Sequence, residues 1–164
     1  MIMENIGLEQ AKAELESILS LVKALNVDYE RLKELQENEE ELDEDEQEEL
    51  ETMELAVKCY PHTTHGYFMS RDEVIDVIRG SAYVVQVRSA WQDVGKELTS
   101  LEFMILLAGG GPEVRIKGEL DVFKEPSVAW IEYRSWGEPW QELPVSGEEQ
   151  QAINTFCQQF WFGE

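Results

Sequence analysis

Basic residues are what this chain lacks most. Its 164 residues include 13 Lys and Arg against 35 Asp and Glu, which gives a formal net charge of −22 at pH 7. Phosphates and anionic lipid headgroups are held mainly by Lys and Arg. We therefore expect neither direct nucleic-acid binding nor membrane binding. The charge fits a basic partner surface instead, with an attraction that weakens as salt is added.

Cysteines and long apolar runs are scarce as well. Cys59 and Cys157 are far apart and form no disulfide framework, which favours a reducing, cytoplasmic setting, although one disulfide between them stays open. The first ten residues, MIMENIGLEQ, lack the basic region and apolar run of a signal peptide. No stretch approaches the roughly eighteen consecutive apolar residues of a membrane-spanning helix.

Catalytic and metal-binding signatures are also missing. The two histidines, His62 and His65, stand beside Cys59 in a pattern one ligand short of a structural zinc site. The stretch AGGGPE, residues 108–113, lacks the Gly-Lys-Ser/Thr of a phosphate-binding loop and lies between two strand patterns, which favours a hairpin turn. With no nucleophile arrangement in view, we predict a non-enzymatic protein without a cofactor or a bound metal.

What is present divides the chain unevenly. Residues 1–56 hold 19 acidic and 4 basic residues, and residues 57–164 hold 16 and 9. In the first part, apolar residues recur in alternating steps of three and four, which predicts a helix with a heptad seam. The seam residues are Leu8, Ala11, Leu15, Ile18, Val22, Leu25, Tyr29 and Leu32. We therefore predict an acidic helical arm over residues 1–58 and an α+β module over residues 59–164.

The densest charge lies in ENEEELDEDEQEELE, Glu37 to Glu51, where eleven of the fifteen residues are carboxylates. We call these residues the acidic segment. Asp43 and Glu46 have the spacing of a capping box, which predicts a second helix beginning there. A turn near Asn38 to Leu42 would then give an antiparallel helical hairpin. One long helix is the alternative.

The remaining sequence predicts a short helix, a sheet and a final helix. Ser70 and Glu73, and later Ser146 and Glu149, have capping-box spacing. Between these helices lie four strand patterns, residues 82–91, 101–108, 113–120 and 127–136, which predict an antiparallel four-stranded meander. The expected fold class is α+β. The five tryptophans are expected to fill the core, with a partner-binding patch as the alternative; they are Trp91, Trp130, Trp136, Trp140 and Trp161.

The acidic segment provides the candidate binding residues. If it were helical throughout, its charges would fall about 2 Å apart along the axis, against about 1.7 Å for the phosphates of duplex DNA. Carboxylates at that density can stand in for phosphates. The candidates are Glu37, Glu40, Glu41, Asp43, Glu44, Asp45, Glu48, Glu49 and Glu51. The simpler interpretation is an acidic, partly disordered turn that keeps the protein soluble.

Three motifs carry a resemblance to a known family. GGPEVRIKGELD (110–121), IEYRSWGEPW (131–140) and FWFGE (160–164) resemble small acidic proteins of phages, plasmids and integrated elements. The resemblance covers about residues 70–164. It implies a mobile-element origin, and no activity is established for that family.

Size, charge and implied origin together resemble those of anti-CRISPR and anti-restriction proteins that mimic DNA. The resulting hypothesis is an anti-defence protein in the cytoplasm of a host cell. Its acidic arm would occupy the basic DNA channel of a CRISPR or restriction complex. The alternative is a non-catalytic interaction protein that uses the heptad seam to form a homodimer through the N-terminal helix or to dock a helical partner.

Overall fold

The computed structural model describes residues 5–58 and 70–163. Within these ranges the chain has the predicted α+β fold, with helices before and after one antiparallel sheet. The helices are α1 Ile6–Leu25, α2 Tyr29–Glu37, α3 Glu44–Lys58, α4 Arg71–Gly80 and α5 Gly147–Cys157. The strands are β1 Val84–Ser89, β2 Ser100–Ala108, β3 Glu113–Leu120, β4 Pro126–Arg134 and β5 Gln141–Glu142.

The chain forms two compact units. One consists of Met1–Leu19 and Ile78–Glu164, and the other of Ser20–Val77. The first contains the sheet and α5, and the second contains α2 and α3 with the acidic segment. The predicted division into residues 1–58 and 59–164 stays a prediction.

The predicted heptad helix is interrupted, which corrects the expectation of one continuous helix. Helix α1 ends at Leu25, and Asp28 starts α2 by accepting a hydrogen bond from the Arg31 backbone N–H at 3.0 Å. Val27, just before this cap, packs against the cluster that includes Leu32, which is the pairing of a hydrophobic staple. The Tyr29 hydroxyl donates to the Ala24 carbonyl at 2.7 Å and ties the two helix ends together.

The sheet is a meander in the order β1-β2-β3-β4-β5, with every neighbouring pair antiparallel. Four of its strands match the four predicted patterns, and the two-residue β5 was not predicted. The β2–β3 turn places Gly110 at φ +89°, a conformation that favours glycine. The hairpin interpretation of residues 108–113 is therefore confirmed.

One face of the sheet forms the core of its unit. Helix α5 packs on β4, and the Gln150 side chain donates to the Ala129 carbonyl at 2.6 Å. The capping box predicted for Ser146 and Glu149 is present at the start of α5. The largest fully buried side chains of the sheet and α5 are Phe103, Ile105, Ile116, Ile131, Ile153 and Phe156.

The tryptophans do not fill this core, so that expectation is wrong. Trp91, Trp136 and Trp161 are exposed, at 103%, 92% and 72% of their reference areas. Trp130 and Trp140 are half-buried. Two guanidinium groups lie over the ring of Trp140, with Arg115 at 3.8 Å and Arg134 at 4.5 Å from its centroid. Aliphatic residues and Phe occupy the interior instead, because the inward-facing strand positions carry Ile, Val, Leu and Phe.

Candidate partner-binding surface

The acidic segment is folded at both ends by local hydrogen bonds. At the end of α2, the Asn38 side-chain amide donates to the Glu34 carbonyl at 2.8 Å. At the start of α3, Asp43 and Glu46 form the predicted capping box. The Asp43 carboxylate accepts from the Glu46 N–H at 2.9 Å, and the Glu46 carboxylate accepts from the Asp43 N–H at 3.3 Å. Between them lies a single 3-10 turn, Glu39–Glu41, followed by the extended Leu42.

A small apolar cluster holds α2 against α3. Its buried members are Leu32, Leu35, Leu50 and Val57. Four partly buried side chains pack around it: Val27, Tyr29, Leu42 and Met53. The two apolar residues of the acidic segment, Leu42 and Leu50, both belong to this cluster, and nine of its eleven carboxylates are exposed.

Ion pairs join the same two helices. The Arg31 guanidinium contacts the Glu49 carboxylate at 3.0 Å and the Glu46 carboxylate at 3.4 Å. Hydrogen bonding to Glu49 is the main cause that raises the pKa of Arg31 further above its ordinary value. Gln36 adds a bond to Glu54 at 3.1 Å. Arg31 therefore neutralises part of the charge where the two helices meet.

These contacts correct the predicted antiparallel arrangement. Arg31 near the start of α2 contacts Glu46 and Glu49, whereas Gln36 near its end contacts Glu54, further along α3. In an antiparallel hairpin the two contacts would run in the opposite order.

Eight of the nine predicted site residues are exposed. They are Glu37, Glu40, Glu41, Asp43, Glu44, Asp45, Glu48 and Glu51. Glu49 differs, because it is half-buried and held by Arg31. Glu37 forms an exposed pair with Lys33 at 3.7 Å, and Asp43 is occupied as a cap. The structure therefore leaves six of the nine facing solvent without such roles: Glu40, Glu41, Glu44, Asp45, Glu48 and Glu51.

The continuous carboxylate stripe expected for one helix is not formed, since the helix breaks between Glu37 and Glu44. Two shorter groups replace it. The first lies on the 3-10 turn, and the second runs along α3 through Glu44, Glu48 and Glu51, at steps of four and three. Residues so spaced lie on one face of a helix. The charge is therefore concentrated around the start of α3 and is not spread evenly along one continuous helix.

One exposed carboxylate was missed. Glu39 lies in the 3-10 turn beside Glu40 and Glu41. It was left out because it does not fit a helical stripe. The signal that would have included it is the charge density itself, which does not depend on helical spacing. A depression of about 470 Å³ adjoins this turn, and its lining includes Arg31, Glu34 and Glu41.

The candidate metal group cannot be placed. Cys59, His62 and His65 lie outside the described residues, so the prediction that this group binds no metal stays a prediction. Cys157 is fully buried, and burial raises the pKa of its thiol, which disfavours the thiolate that metals bind. Within residues 5–58 and 70–163, no three His, Cys, Asp or Glu side chains are grouped to hold a metal ion.

Six of the eight seam residues of the alternative hypothesis are buried, and only Leu8 and Tyr29 are half-buried. Ala11, Leu15, Ile18 and Val22 are each at most 8% exposed. A dimer formed through this seam would require those side chains to leave the interior.

Comparisons with known proteins add no family to this description. Neither protein-family models, nor curated proteins, nor solved structures give a match to the chain. The resemblance to mobile-element proteins therefore stays a prediction. In the part of the chain that the structure describes, no helix combines the length and the apolar character that crossing a membrane requires.

Proposed function

We propose that this chain is an anti-defence protein of a mobile element that acts as an acidic DNA mimic. It would block the DNA-binding channel of a host CRISPR or restriction complex by occupying it in place of DNA. The observation that carries the proposal is the acidic segment, which combines eleven carboxylates in fifteen residues with a capped and packed frame.

Charge spacing on α3 supports this function. Glu44, Asp45, Glu48 and Glu51 are exposed over seven residue steps, so they present about one charge per 2.6 Å of helix axis. Duplex DNA presents one phosphate per about 1.7 Å of axis. The two densities agree within a factor of two. The turn residues Glu39, Glu40 and Glu41 add further charge at the start of the helix.

The energetics also favour a basic partner. Like charges at steps of three or four repel each other and cost a helix a few tenths of a kcal/mol per pair. Glu44, Glu48 and Glu51 have this spacing, and Arg31 pairs instead with Glu46 and Glu49. Lys and Arg side chains in a DNA channel would relieve that repulsion. The released repulsion then adds to the affinity for such a channel.

A pair of charge-matched variants tests the proposal. In the first, Glu40, Glu44, Glu48 and Glu51 are replaced by Gln. In the second, the exposed Glu125, Glu138, Glu142 and Glu148 of the sheet unit are replaced by Gln. Both variants change the net charge by the same amount, so any difference between them reports position rather than total charge.

Each protein is immobilised and used to capture proteins from a bacterial host lysate, followed by elution with duplex DNA. The proposal expects DNA-binding complexes that duplex DNA displaces from the wild-type chain and from the sheet-unit variant. The acidic-segment variant should capture at least tenfold less of them. Equal losses in both variants, or captured proteins that DNA does not displace, would refute DNA mimicry by this segment.

A further inference from the structure

A second surface of the molecule has no net charge. Residues 82–101 contain Arg88, Asp93, Lys96 and Glu97 as their only charged side chains, so this stretch is neutral in a chain of net charge −22. Among the described residues, eight of the fifteen exposed large hydrophobic side chains fall in these twenty positions: Tyr83, Val84, Val85, Val87, Trp91, Val94, Leu98 and Leu101. We call this stretch the neutral edge.

Within the neutral edge, strand β1 forms one border of the sheet. Strand β1 pairs only with β2, so the backbone N–H and C=O groups on its other side have no strand partner in the described chain. From Val84 to Val87 the strand holds no Pro, Lys or bulge, the features that usually protect an edge. The opposite edge is protected, because β5 has two residues and is flanked by Pro139 and Pro144.

Apolar side chains extend to this edge on the core-facing side of the sheet. Val85 is paired with Ile105 and Val87 with Phe103 across β1 and β2. Ile105 and Phe103 are fully buried, whereas Val85 and Val87 are 41% and 47% exposed. The apolar layer on this face of the sheet therefore extends from the buried positions of β2 to the exposed valines of β1.

We propose that the β1 edge pairs with the β1 edge of a second copy of this chain, forming a two-fold symmetric dimer with one continuous sheet. Two identical edges can pair antiparallel about a two-fold axis, and such dimers are the commonest oligomers. Centring the pairing on Gln86 would place Val85 opposite Val87 of the second copy, and Val84 opposite its Arg88. Val85 and Val87 would thus form two apolar cross-strand pairs about the two-fold axis.

The charge distribution favours a second copy of this chain, rather than a basic protein, as the partner of the neutral edge. A basic protein is drawn to the acidic segment, where the net charge lies, and gains no comparable attraction at a neutral stretch. Two copies that each carry −22 repel least where both are neutral. In the centred pairing the two Arg88 residues would lie about 13 Å apart along the strands, beyond the Debye length of about 8 Å at physiological salt. Each also keeps its own pair with Glu102.

The test is sedimentation equilibrium of the full chain over a wide concentration range, at low and at high salt. The wild type should dimerise, and the dimer should hold or strengthen at high salt because screening reduces repulsion between the acidic segments. Val85→Lys should weaken dimerisation at least tenfold. Val122→Lys is the matched control, since Val122 is 85% exposed in the β3–β4 turn, and it should leave dimerisation unchanged.

Hydrogen exchange of the wild type gives a readout that needs no variant. Exchange of the outward-pointing amides of β1, which are those of every second residue from Val84 to Arg88, should slow as the protein concentration rises, because edge pairing protects those N–H groups while the others already face β2. The proposal fails if the chain is monomeric at every concentration, if salt dissociates the dimer, if the two Lys variants behave alike, or if the β1 amides exchange at a constant rate.

Discussion

The sheet region and the α2–α3 pair are stabilised by different means. The sheet and α5 supply six of the twelve largest fully buried side chains in the described residues, whereas the α2–α3 pair supplies Leu35 and Val57. The pair adds to this small core the capping box of Asp43 and Glu46, the Asp28 cap and the ion pairs of Arg31. The region with the highest charge is therefore the one with the least apolar packing. The proposed function accounts for this difference, because a DNA mimic needs its carboxylates placed for a partner rather than for stability.

The largest effect is expected in the sheet, at Gly118. A Cβ added there would lie 2.5 Å from the Phe103 ring and against the Val128 carbonyl oxygen. Gly118→Ala should lower the free energy of unfolding by about 3 kcal/mol, because a close-packed site cannot take an added methyl group. Gly111→Ala in the β2–β3 turn is the control, since an added Cβ meets nothing within 4 Å. Denaturant unfolding measures both, and equal effects would contradict this packing.

An intermediate effect is expected in the core of the α2–α3 pair. Leu50 is 5% exposed in this core, so Leu50→Ala should cost about 2 kcal/mol, at the low end for buried leucines because the cluster is small. Leu55, on the same helix, is 60% exposed, and Leu55→Ala should change stability by less than about 0.5 kcal/mol. Hydrogen exchange should show the loss of protection in α2 and α3. Similar costs for the two variants would mean that this cluster does not hold the pair.

The smallest effect is expected at Asp43, which both caps α3 and carries a negative charge. Asp43→Ala removes the N-cap of α3 and should cost about 1 kcal/mol, whereas Asp43→Asn keeps the cap and removes only the charge. Thermal unfolding of the two variants should therefore differ, with the Asn variant close to the wild type. If both variants lose the same stability, the charge rather than the cap stabilises the helix start.

Local signals in the sequence predicted much of the fold. The capping boxes at Asp43, Ser70 and Ser146 were each found where predicted, because their hydrogen bonds involve residues only three positions apart. The four long strands were also predicted from their apolar and β-branched residues. The break at Asn26 was missed because the heptad pattern continues across it, although Val27 and Asp28 together signal a staple and a cap.

The sequence predicted which residues form the candidate site, but it did not predict how they are arranged. Exposure of eight of the nine predicted carboxylates follows from charge alone. The pairing of Glu49 with Arg31 depends on how α2 packs against α3, and no spacing in the sequence encodes that contact. The exposure of Trp91 was not predicted either, because the strand pattern runs to residue 91 whereas β1 ends at Ser89, which leaves Trp91 in the β1–β2 connection.

The salt dependence of binding to a captured DNA-binding complex tests the central claim most directly. The affinity of the wild type should fall steeply as salt rises. The variant with Gln at positions 40, 44, 48 and 51 should show a markedly shallower slope, and the variant with Gln at positions 125, 138, 142 and 148 should keep the wild-type slope. The same slope for all three proteins would contradict a DNA mimic built on the acidic segment.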